Sequence, residues 1–198
     1  MPPSRLYLAS ASPRRLQLLQ GVGMAVEACP VPVDEAALPA EPPTARVARL
    51  AEAKVLAAAV RLGELPAAAL LLGADTTVVL DGASLDKPSG AEEAAATLRR
   101  LSGRTHEVWT GVHLLRPGTG ARAQVLERTR VRMRAFDEEA VAWYVRTGEP
   151  LDKAGAYGIQ GLGVFLVEGI EGSWSNVVGL PLERLPELMR TVGVRFPF

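Results

Sequence analysis

The stretch Leu70-Leu-Leu-Gly-Ala-Asp-Thr-Thr-Val-Val-Leu80 is a long apolar segment that is followed at once by Asp81-Gly82. Aspartate followed by glycine is a strong signal for a tight hairpin turn, so the stretch is predicted to be a β-strand. An acidic side chain is normally excluded from such a strand, yet Asp75 stands in its middle. A carboxylate in this setting needs a metal ion or another cation, and it can then act as a general base.

Strands and helices alternate irregularly on both sides of this strand. Further strands are predicted at about Leu6–Ala9, Ala25–Cys29, His106–Leu115 and Arg122–Arg134. Helices are predicted at about Pro13–Gln20, Thr44–Arg61, Ala91–Leu101, Asp137–Arg146 and Pro181–Arg190, with Ser12 and Ser89 as helix caps. The glycine-rich segment from Gly148 to Gly179 is predicted to be mostly loops and short strands. The pattern favours an α/β or α+β fold with a mixed sheet, and we expect a single domain over residues 1–198.

The composition excludes several classes of protein. Of 198 residues, 48% are apolar, which excludes disorder of the whole chain. Lys plus Arg and Asp plus Glu both number 22, so no bulk positive charge is available to bind nucleic acid. No apolar stretch approaches the roughly 18 residues that a membrane span needs. We therefore expect neither nucleic acid nor a membrane as a partner.

Cysteine and histidine usage gives no sign of a disulfide or a zinc site. Cys29 is the single cysteine and is predicted to be a small buried apolar residue. His106 and His113 are the two histidines, and neither has zinc-like spacing to a partner. Without a secretory signal in the N-terminal sequence, we expect a cytoplasmic location.

Lysine is rare in this chain, since 19 arginines accompany only Lys54, Lys87 and Lys153. Lys54 lies on the apolar stripe of its predicted helix, where an unpaired ammonium group is costly. It therefore needs an anion, either a carboxylate of the protein or a phosphate of a ligand. The alternative is a lysine whose stem lies along the edge of the core while its charge reaches water.

The segment from Ser10 to Arg15 joins a strand to the start of a helix and is a candidate anion pocket. Ser10 and Ser12 precede the helix, and Arg14 and Arg15 lie in its first turn, where free backbone N–H groups favour a phosphate. Ordinary helix capping beside a solvated arginine pair would explain the same residues. Glu35, in a proline-rich loop, could join Asp75 in binding a hard divalent cation, although a solvated loop residue is the simpler interpretation.

Two further candidates for the site are Lys87 and Gln160. Lys87 is held by the proline that follows it, which restricts its backbone. Gln160, in the glycine-rich segment, has both a donor and an acceptor, as the recognition of a base edge requires. Glycine-rich segments are often only turns, so this signal is weak by itself. Together, the lysines, arginines and carboxylates are the groups needed to bind a polyphosphate with a metal ion.

Several ordered motifs resemble one known family, the Maf-type nucleoside triphosphate pyrophosphatases, over nearly the whole chain. They are Leu8-Ala-Ser-Ala-Ser-Pro-Arg-Arg15, Ala51-Glu-Ala-Lys54, Gly73-Ala-Asp-Thr76, Asp86-Lys-Pro88, Leu101-Ser-Gly-Arg-Thr-His-Glu-Val108, Glu149–Gly161 and Asn176-Val-Val-Gly-Leu-Pro181. The resemblance implies hydrolysis of a nucleoside triphosphate to the monophosphate and pyrophosphate, a house-cleaning role in nucleotide metabolism. It also implies a divalent cation (Mg²⁺, Mn²⁺ or Co²⁺), a homodimer, and an elongated mixed sheet flanked by helices, with two lobes around a central cleft, similar to the ITPase-like fold.

The resemblance also assigns roles to residues of this chain. It implies that Asp75 is the catalytic aspartate, that Glu35 is a second carboxylate beside it, and that these two hold the metal. Phosphates would be bound by basic residues and serines that match the family's motifs: Ser10, Ser12, Arg14, Arg15, Lys54 and Lys87.

The residues that match the specificity positions of the family are Arg14, Thr76 and Gln160. They are those of a branch that prefers dTTP and UTP, whereas the branch that acts on 7-methyl-GTP carries Gln and Glu at the latter two positions. That second branch remains an alternative. The second alternative is a nucleotide-binding regulator of septum formation without essential catalysis.

Overall fold

Within residues 5–196, which the computed structural model describes, seven strands form one mixed sheet. They are β1 (Leu6–Leu8), β2 (Val26–Ala28), β3 (Leu70–Leu80), β4 (Ala83–Leu85), β5 (Thr105–Arg116), β6 (Ala121–Met133) and β7 (Val167–Glu171). Their order is β2-β1-β3-β5-β6-β7, and β4 pairs with β3 outside this path. β1 pairs parallel with β2 and β3, whereas β3 pairs antiparallel with β4, and β6 with β7. The predicted mixed α/β class is confirmed, while both ends of the predicted domain lie outside the described residues.

Six α-helices accompany the sheet in the same part of the chain. They are α1 (Pro13–Gly21), α2 (Pro43–Leu62), α3 (Ala91–Leu101), α4 (Glu138–Arg146), α5 (Trp174–Val178) and α6 (Leu185–Thr191). Short 3₁₀ helices cover Glu149–Asp152, Ala154–Ala156, Gly161–Leu166 and Leu182–Arg184. None of the helices described is long and apolar enough to cross a membrane.

The central strand β3 has the bounds that the sequence predicts. Its hairpin turn places Asp81 at φ 53° and Gly82 at φ 80°, and two successive positive φ values are typical of the two-residue turns that join antiparallel strands. Leu70, Leu71 and Leu72 are completely buried, which fits a strand that is covered on both faces. The turn chemistry and the apolar run therefore fix this strand together.

Helix α2 approaches the sheet so closely that two strand positions must be glycine. A Cβ atom on Gly73 of β3 would lie 2.4 Å from the carbonyl oxygen of Ala51. A Cβ atom on Gly111 of β5 would lie 2.6 Å from the carbonyl oxygen of Val47. The helix backbone therefore rests directly on the two strands, and it buries the stripe that includes Lys54, as predicted from the sequence.

The described residues divide into two compact units. The first comprises residues 5–75, 110–127 and 179–196, and the second comprises residues 76–109 and 128–178. The first unit contains α1, α2 and α6, with a buried Cys29 beside Ala9 and Ala58. The second contains α3, α4 and α5 around a core in which Tyr144 and Leu98 are completely buried.

Some local predictions are wrong in detail. Ser12 is the N-cap residue of α1, as predicted, although its side chain makes no cap hydrogen bond, and its backbone N–H donates to Ser10 Oγ (3.2 Å). Gly90, not Ser89, is the N-cap of α3, and the N–H and hydroxyl of Ser89 both donate to Glu93 Oε2, at 2.8 and 2.7 Å. The glycine-rich segment forms three 3₁₀ helices and α5 as well as β7, because its glycines allow a succession of tight turns.

Candidate active site

The ammonium group of Lys54 binds two carboxylates at once. Its Nζ atom donates to Asp75 Oδ1 at 2.7 Å and lies 2.8 Å from Glu35 Oε1. The lysine is only 8% exposed, whereas the side chains of Asp75 and Glu35 are 17% and 54% exposed. The buried lysine therefore has the anionic partners that its place on an apolar helix face requires.

Three elements of the first unit deliver these three side chains. Lys54 comes from α2, Asp75 from the end of the β3 segment that belongs to this unit, and Glu35 from the loop before α2. The close approach of α2 to Gly73 brings the helix within reach of the strand that carries Asp75. Glu35 is placed by its loop, which is tied to α2 through an ion pair between Glu41 and Arg49. Sequence reasoning missed this pair, because neither residue lies in an unusual setting in the sequence.

Arg15 is buried and anchored by hydrogen bonds within the segment that the sequence predicts to bind an anion. Its Nε atom donates to the carbonyl oxygen of Gly179 (2.7 Å), and its Nη1 atom donates to Ser10 Oγ (3.0 Å). Burial lowers the pKa of Arg15, whereas the negative charges of Asp75 and Glu35 raise it. The two hydrogen bonds hold the guanidinium in place, and its charge interacts with the charges of both carboxylates.

Arg14 and Ser12 lie beside this anchored arginine. Both are partly buried at the start of α1, and the positive charge of Arg14 acts on Arg15, lowering its pKa further. Two adjacent arginines at a helix N-terminus form a cationic patch, and such a patch suits a phosphate. The first unit thus brings together Ser10, Arg14, Arg15, Glu35, Lys54 and Asp75.

The remaining candidates belong to the second unit. Thr76 follows Asp75 in β3 and is partly buried, and Lys87 is exposed just before the buried Pro88. Gln160 is partly buried at the N-cap of the 3₁₀ helix Gly161–Leu166. Lys153, the third lysine, donates to the carbonyl oxygen of Glu149 and to Asp152 Oδ1, both at 2.7 Å. Those contacts give Lys153 a role inside its own loop.

The donor set around Lys54 fits a magnesium-like ion. Residues 5–196 contain no group of three or more His, Cys, Asp and Glu side chains that could hold a metal. Mg²⁺ in phosphate-transfer enzymes typically uses only one or two carboxylates and takes its other ligands from water and the substrate. Glu35 and Asp75 both contact the Nζ atom of Lys54, so the two carboxylates lie close together. Together they could supply that number of oxygen ligands.

Comparisons with known proteins agree on one family. The family described as Maf-like protein matches residues 5–192. A protein of Moorella thermoacetica named dTTP/UTP pyrophosphatase is 49% identical over 96% of this chain and 96% of its own length. A Methylobacillus flagellatus protein with the same name is 48% identical over 98% of this chain and 96% of its own length.

A solved structure supports the fold. The Staphylococcus aureus Ham1 protein superposes with a TM-score of 0.50, covering 96% of this chain and 91% of that one, at 11% sequence identity. At this identity the likeness concerns the fold alone, and it agrees with the mixed sheet described above.

Proposed function

This chain belongs to the Maf family, and we propose that it hydrolyses nucleoside triphosphates, with dTTP and UTP preferred, to the nucleoside monophosphate and pyrophosphate. The observation that carries the proposal is the contact of Lys54 with both Asp75 and Glu35. Near-full-length relatives named dTTP/UTP pyrophosphatase support the choice of substrate.

In the proposed reaction, Asp75 takes a proton from the water molecule that attacks the α-phosphorus. The bond from the α-phosphorus to the bridging oxygen breaks, and pyrophosphate leaves. General-base help of this kind contributes typically about 10²–10⁴-fold to the rate. Because Lys54 already holds one oxygen of Asp75, it orients the carboxylate for this step.

Positive charge offsets the charge that develops on the phosphates. Arg14, Arg15, Lys54 and Lys87 have this role in the proposal, since fixed cations stabilise the transition state of phosphoryl transfer. Arg15 is suited to it because its contacts with Gly179 and Ser10 hold it in place before a substrate binds. Ser10 and Ser12 would bind phosphate oxygens beside it.

Asp75 and Glu35 would hold a divalent cation, Mg²⁺, Mn²⁺ or Co²⁺. Such an ion polarises phosphate oxygens and neutralises part of their charge. The contacts of Lys54 with both carboxylates keep the two side chains close together, so little rearrangement is needed for them to act jointly.

The test is the release of pyrophosphate or orthophosphate from a panel of triphosphates with each metal. We expect pyrophosphate from dTTP and UTP, and little from ATP, GTP or 7-methyl-GTP. Activity confined to 7-methyl-GTP would move the chain to the other branch, and binding without hydrolysis would favour a nucleotide-binding regulator.

The matched variants are two isosteric changes, one in the middle of β3 and one in the turn that follows it. Asp75→Asn should lower turnover by about 10²–10⁴-fold while the protein stays folded. Asp81→Asn, in the exposed hairpin turn after β3, should leave turnover within about threefold, because asparagine tolerates the positive φ there. A fully active Asp75→Asn protein would contradict the role given to Asp75.

The proposal extends to assembly and location. Resemblance to the family supports a homodimer in the cytoplasm, with a small nucleotide as substrate. Light scattering should then give twice the mass of one chain, and fractionation of cells should find the activity in the cytosol. A monomer at micromolar concentration would contradict the dimer but not the chemistry.

A further inference from the structure

The carboxylate of Glu149 is the centre of a network in the second unit. Its Oε1 atom accepts hydrogen bonds from the Tyr144 hydroxyl (2.8 Å) and from the N–H of Gly163 (3.1 Å). Its Oε2 atom accepts one from the N–H of Leu162 (3.0 Å). The Tyr144 oxygen in turn accepts the N–H of Gly158 (3.1 Å). One carboxylate thus holds, directly or through Tyr144, the backbone on both sides of Gln160.

The turn that carries Gln160 is shaped around this carboxylate. Gly161 has φ +75°, and a Cβ atom there would lie 2.8 Å from Glu149 Oε2. A Cβ atom on Gly163 would lie 2.6 Å from the Tyr144 oxygen and 2.2 Å from the carbonyl oxygen of Gly158. Glycine backbone is otherwise free to adopt many conformations, so the order of this turn depends on what it is bound to.

The carboxylate also caps the 3₁₀ helix Gly161–Leu166. The N–H groups of Leu162 and Gly163 lie in its first turn, which has no partners within the helix, and an acceptor there stabilises the helix start. Gln160 is the N-cap residue of this helix, but its own side chain makes no cap. Glu149 therefore performs the capping and leaves the amide of Gln160 available for another role.

Tyr144 is a dependable donor in this network. Burial, and next its hydrogen bond to Glu149, raise the pKa of the Tyr144 phenol, so the hydroxyl keeps its proton at every physiological pH. Lys153 adds a second tie, because its ammonium group donates to the backbone carbonyl of Glu149 (2.7 Å). Glu149 is thus held through both its carboxylate and its backbone carbonyl.

We propose that Glu149 is a positioning residue for base recognition, which fixes the turn that presents the Gln160 amide to the pyrimidine edge. This rests on the proposed function, in which Gln160 contacts the base. Glu149 itself touches no substrate in this proposal. Its loss should therefore weaken the discrimination between bases far more than it affects the chemistry at the phosphates.

The experiment compares Glu149→Ala with wild type on dTTP and dATP. We expect the ratio of kcat/KM for the two nucleotides to fall about tenfold, in the range expected when a hydrogen-bonded recognition group is misplaced. The loss should be in KM for dTTP, with kcat within about threefold of wild type. Glu149→Gln, which keeps an amide oxygen as acceptor, should restore part of the ratio.

A second comparison excludes a merely structural role. In a Gln160→Ala background, Glu149→Ala should not lower the selectivity ratio further, because the two residues act as one unit. The matched control is Glu93→Ala, which removes another capping carboxylate of the same unit, at Ser89, and should leave the ratio unchanged. Equal losses of kcat on all nucleotides, or additive losses in the double variant, would overturn the proposal.

Binding of α,β-imido analogues of dTTP and dATP separates this proposal from the proposed function. If wild type binds the dTTP analogue selectively but hydrolyses nothing, the proposed function fails, and the binding ratio of Glu149→Ala still decides the role of Glu149. If wild type hydrolyses dTTP and Glu149→Ala keeps full selectivity, only the positioning role fails. If wild type binds neither analogue, both are overturned.

Discussion

Arg49 and Glu41 join through two parallel hydrogen bonds, with Arg49 Nε 2.6 Å from Glu41 Oε1 and Arg49 Nη2 2.7 Å from Glu41 Oε2. The same Nη2 atom donates to the carbonyl oxygen of Ala36 at 3.0 Å, and Glu41 Oε2 also accepts the N–H of Leu38 at 3.0 Å. The pair thus ties the loop segment that follows Glu35 to helix α2. This helix also carries Lys54. The ion pair explains how an exposed, proline-rich loop can hold Glu35 in place.

Replacing Arg49 by lysine should lower activity without unfolding the protein. An ammonium group cannot make the paired contacts of a guanidinium, so the loop would lose its ties to Glu41 and Ala36 together. We expect kcat/KM for dTTP to fall about tenfold, because a displaced Glu35 no longer meets Lys54 correctly. Steady-state kinetics, with circular dichroism to check folding, measures this.

The control for Arg49→Lys is Arg99→Lys. Arg99 makes an equally bidentate pair with Glu138, at 2.7 and 2.8 Å, on an exposed surface of the second unit. Exposed pairs contribute little to stability, so this variant should keep its activity within about twofold. Equal activity losses in the two variants would show that the effect is general and not a matter of the Glu35 loop.

The Glu41 pair should also make stability depend on pH. Hydrogen bonds from Arg49, and next from the backbone of Leu38, lower the pKa of Glu41 from 4.5 to about 2. Since the folded pKa lies below the unfolded one, the stabilisation is complete above about pH 4.5 and is lost as pH falls towards 2. The difference in urea midpoint between wild type and Glu41→Gln should therefore shrink between about pH 7 and about pH 3. A difference that stays constant would contradict this prediction.

Residues whose local setting is anomalous could be predicted from the sequence. Asp75 interrupts an apolar strand, and Lys54 interrupts an apolar helix stripe, so each needs a partner of opposite charge. The structure makes them partners of one another, at 2.7 Å. Strand β3 could be predicted for a similar reason, because its apolar run and its Asp-Gly turn are both local signals.

Residues that act through tertiary contacts could not be predicted in this way. Arg49 and Glu41 are eight positions apart in the sequence, and Glu149 lies 13 and 14 positions from the backbone groups that it binds. All three are of types that normally face water, so no pattern marks them as unusual. Their roles follow only from where loops fold back, which periodicity does not determine.

Changing Gln160 to Glu should shift the preference for the base. A carboxylate accepts hydrogen bonds but cannot donate them, so it would leave a pyrimidine carbonyl without a partner and would favour a base edge that offers N–H groups. We expect the dTTP-to-GTP ratio of kcat/KM to fall at least about tenfold. Thr76→Gln should act in the same direction, and the double variant should be tested on 7-methyl-GTP. Unchanged selectivity in all three variants would contradict the base-reading role of both residues.

Adding one methyl group at Gly73 should test whether the close approach of α2 to β3 is needed. A Cβ atom there would lie 2.4 Å from the carbonyl oxygen of Ala51 and 2.7 Å from Val55 Cγ2, so the helix that carries Lys54 must move away. We expect Gly73→Ala to lose about 1–3 kcal/mol of unfolding free energy and much of its activity. Gly21→Ala is the matched control, because a Cβ atom on this last residue of α1 would meet no other atom within 4 Å, so stability and activity should change little. A Gly73→Ala protein as stable and active as Gly21→Ala would show that the sheet tolerates a wider spacing.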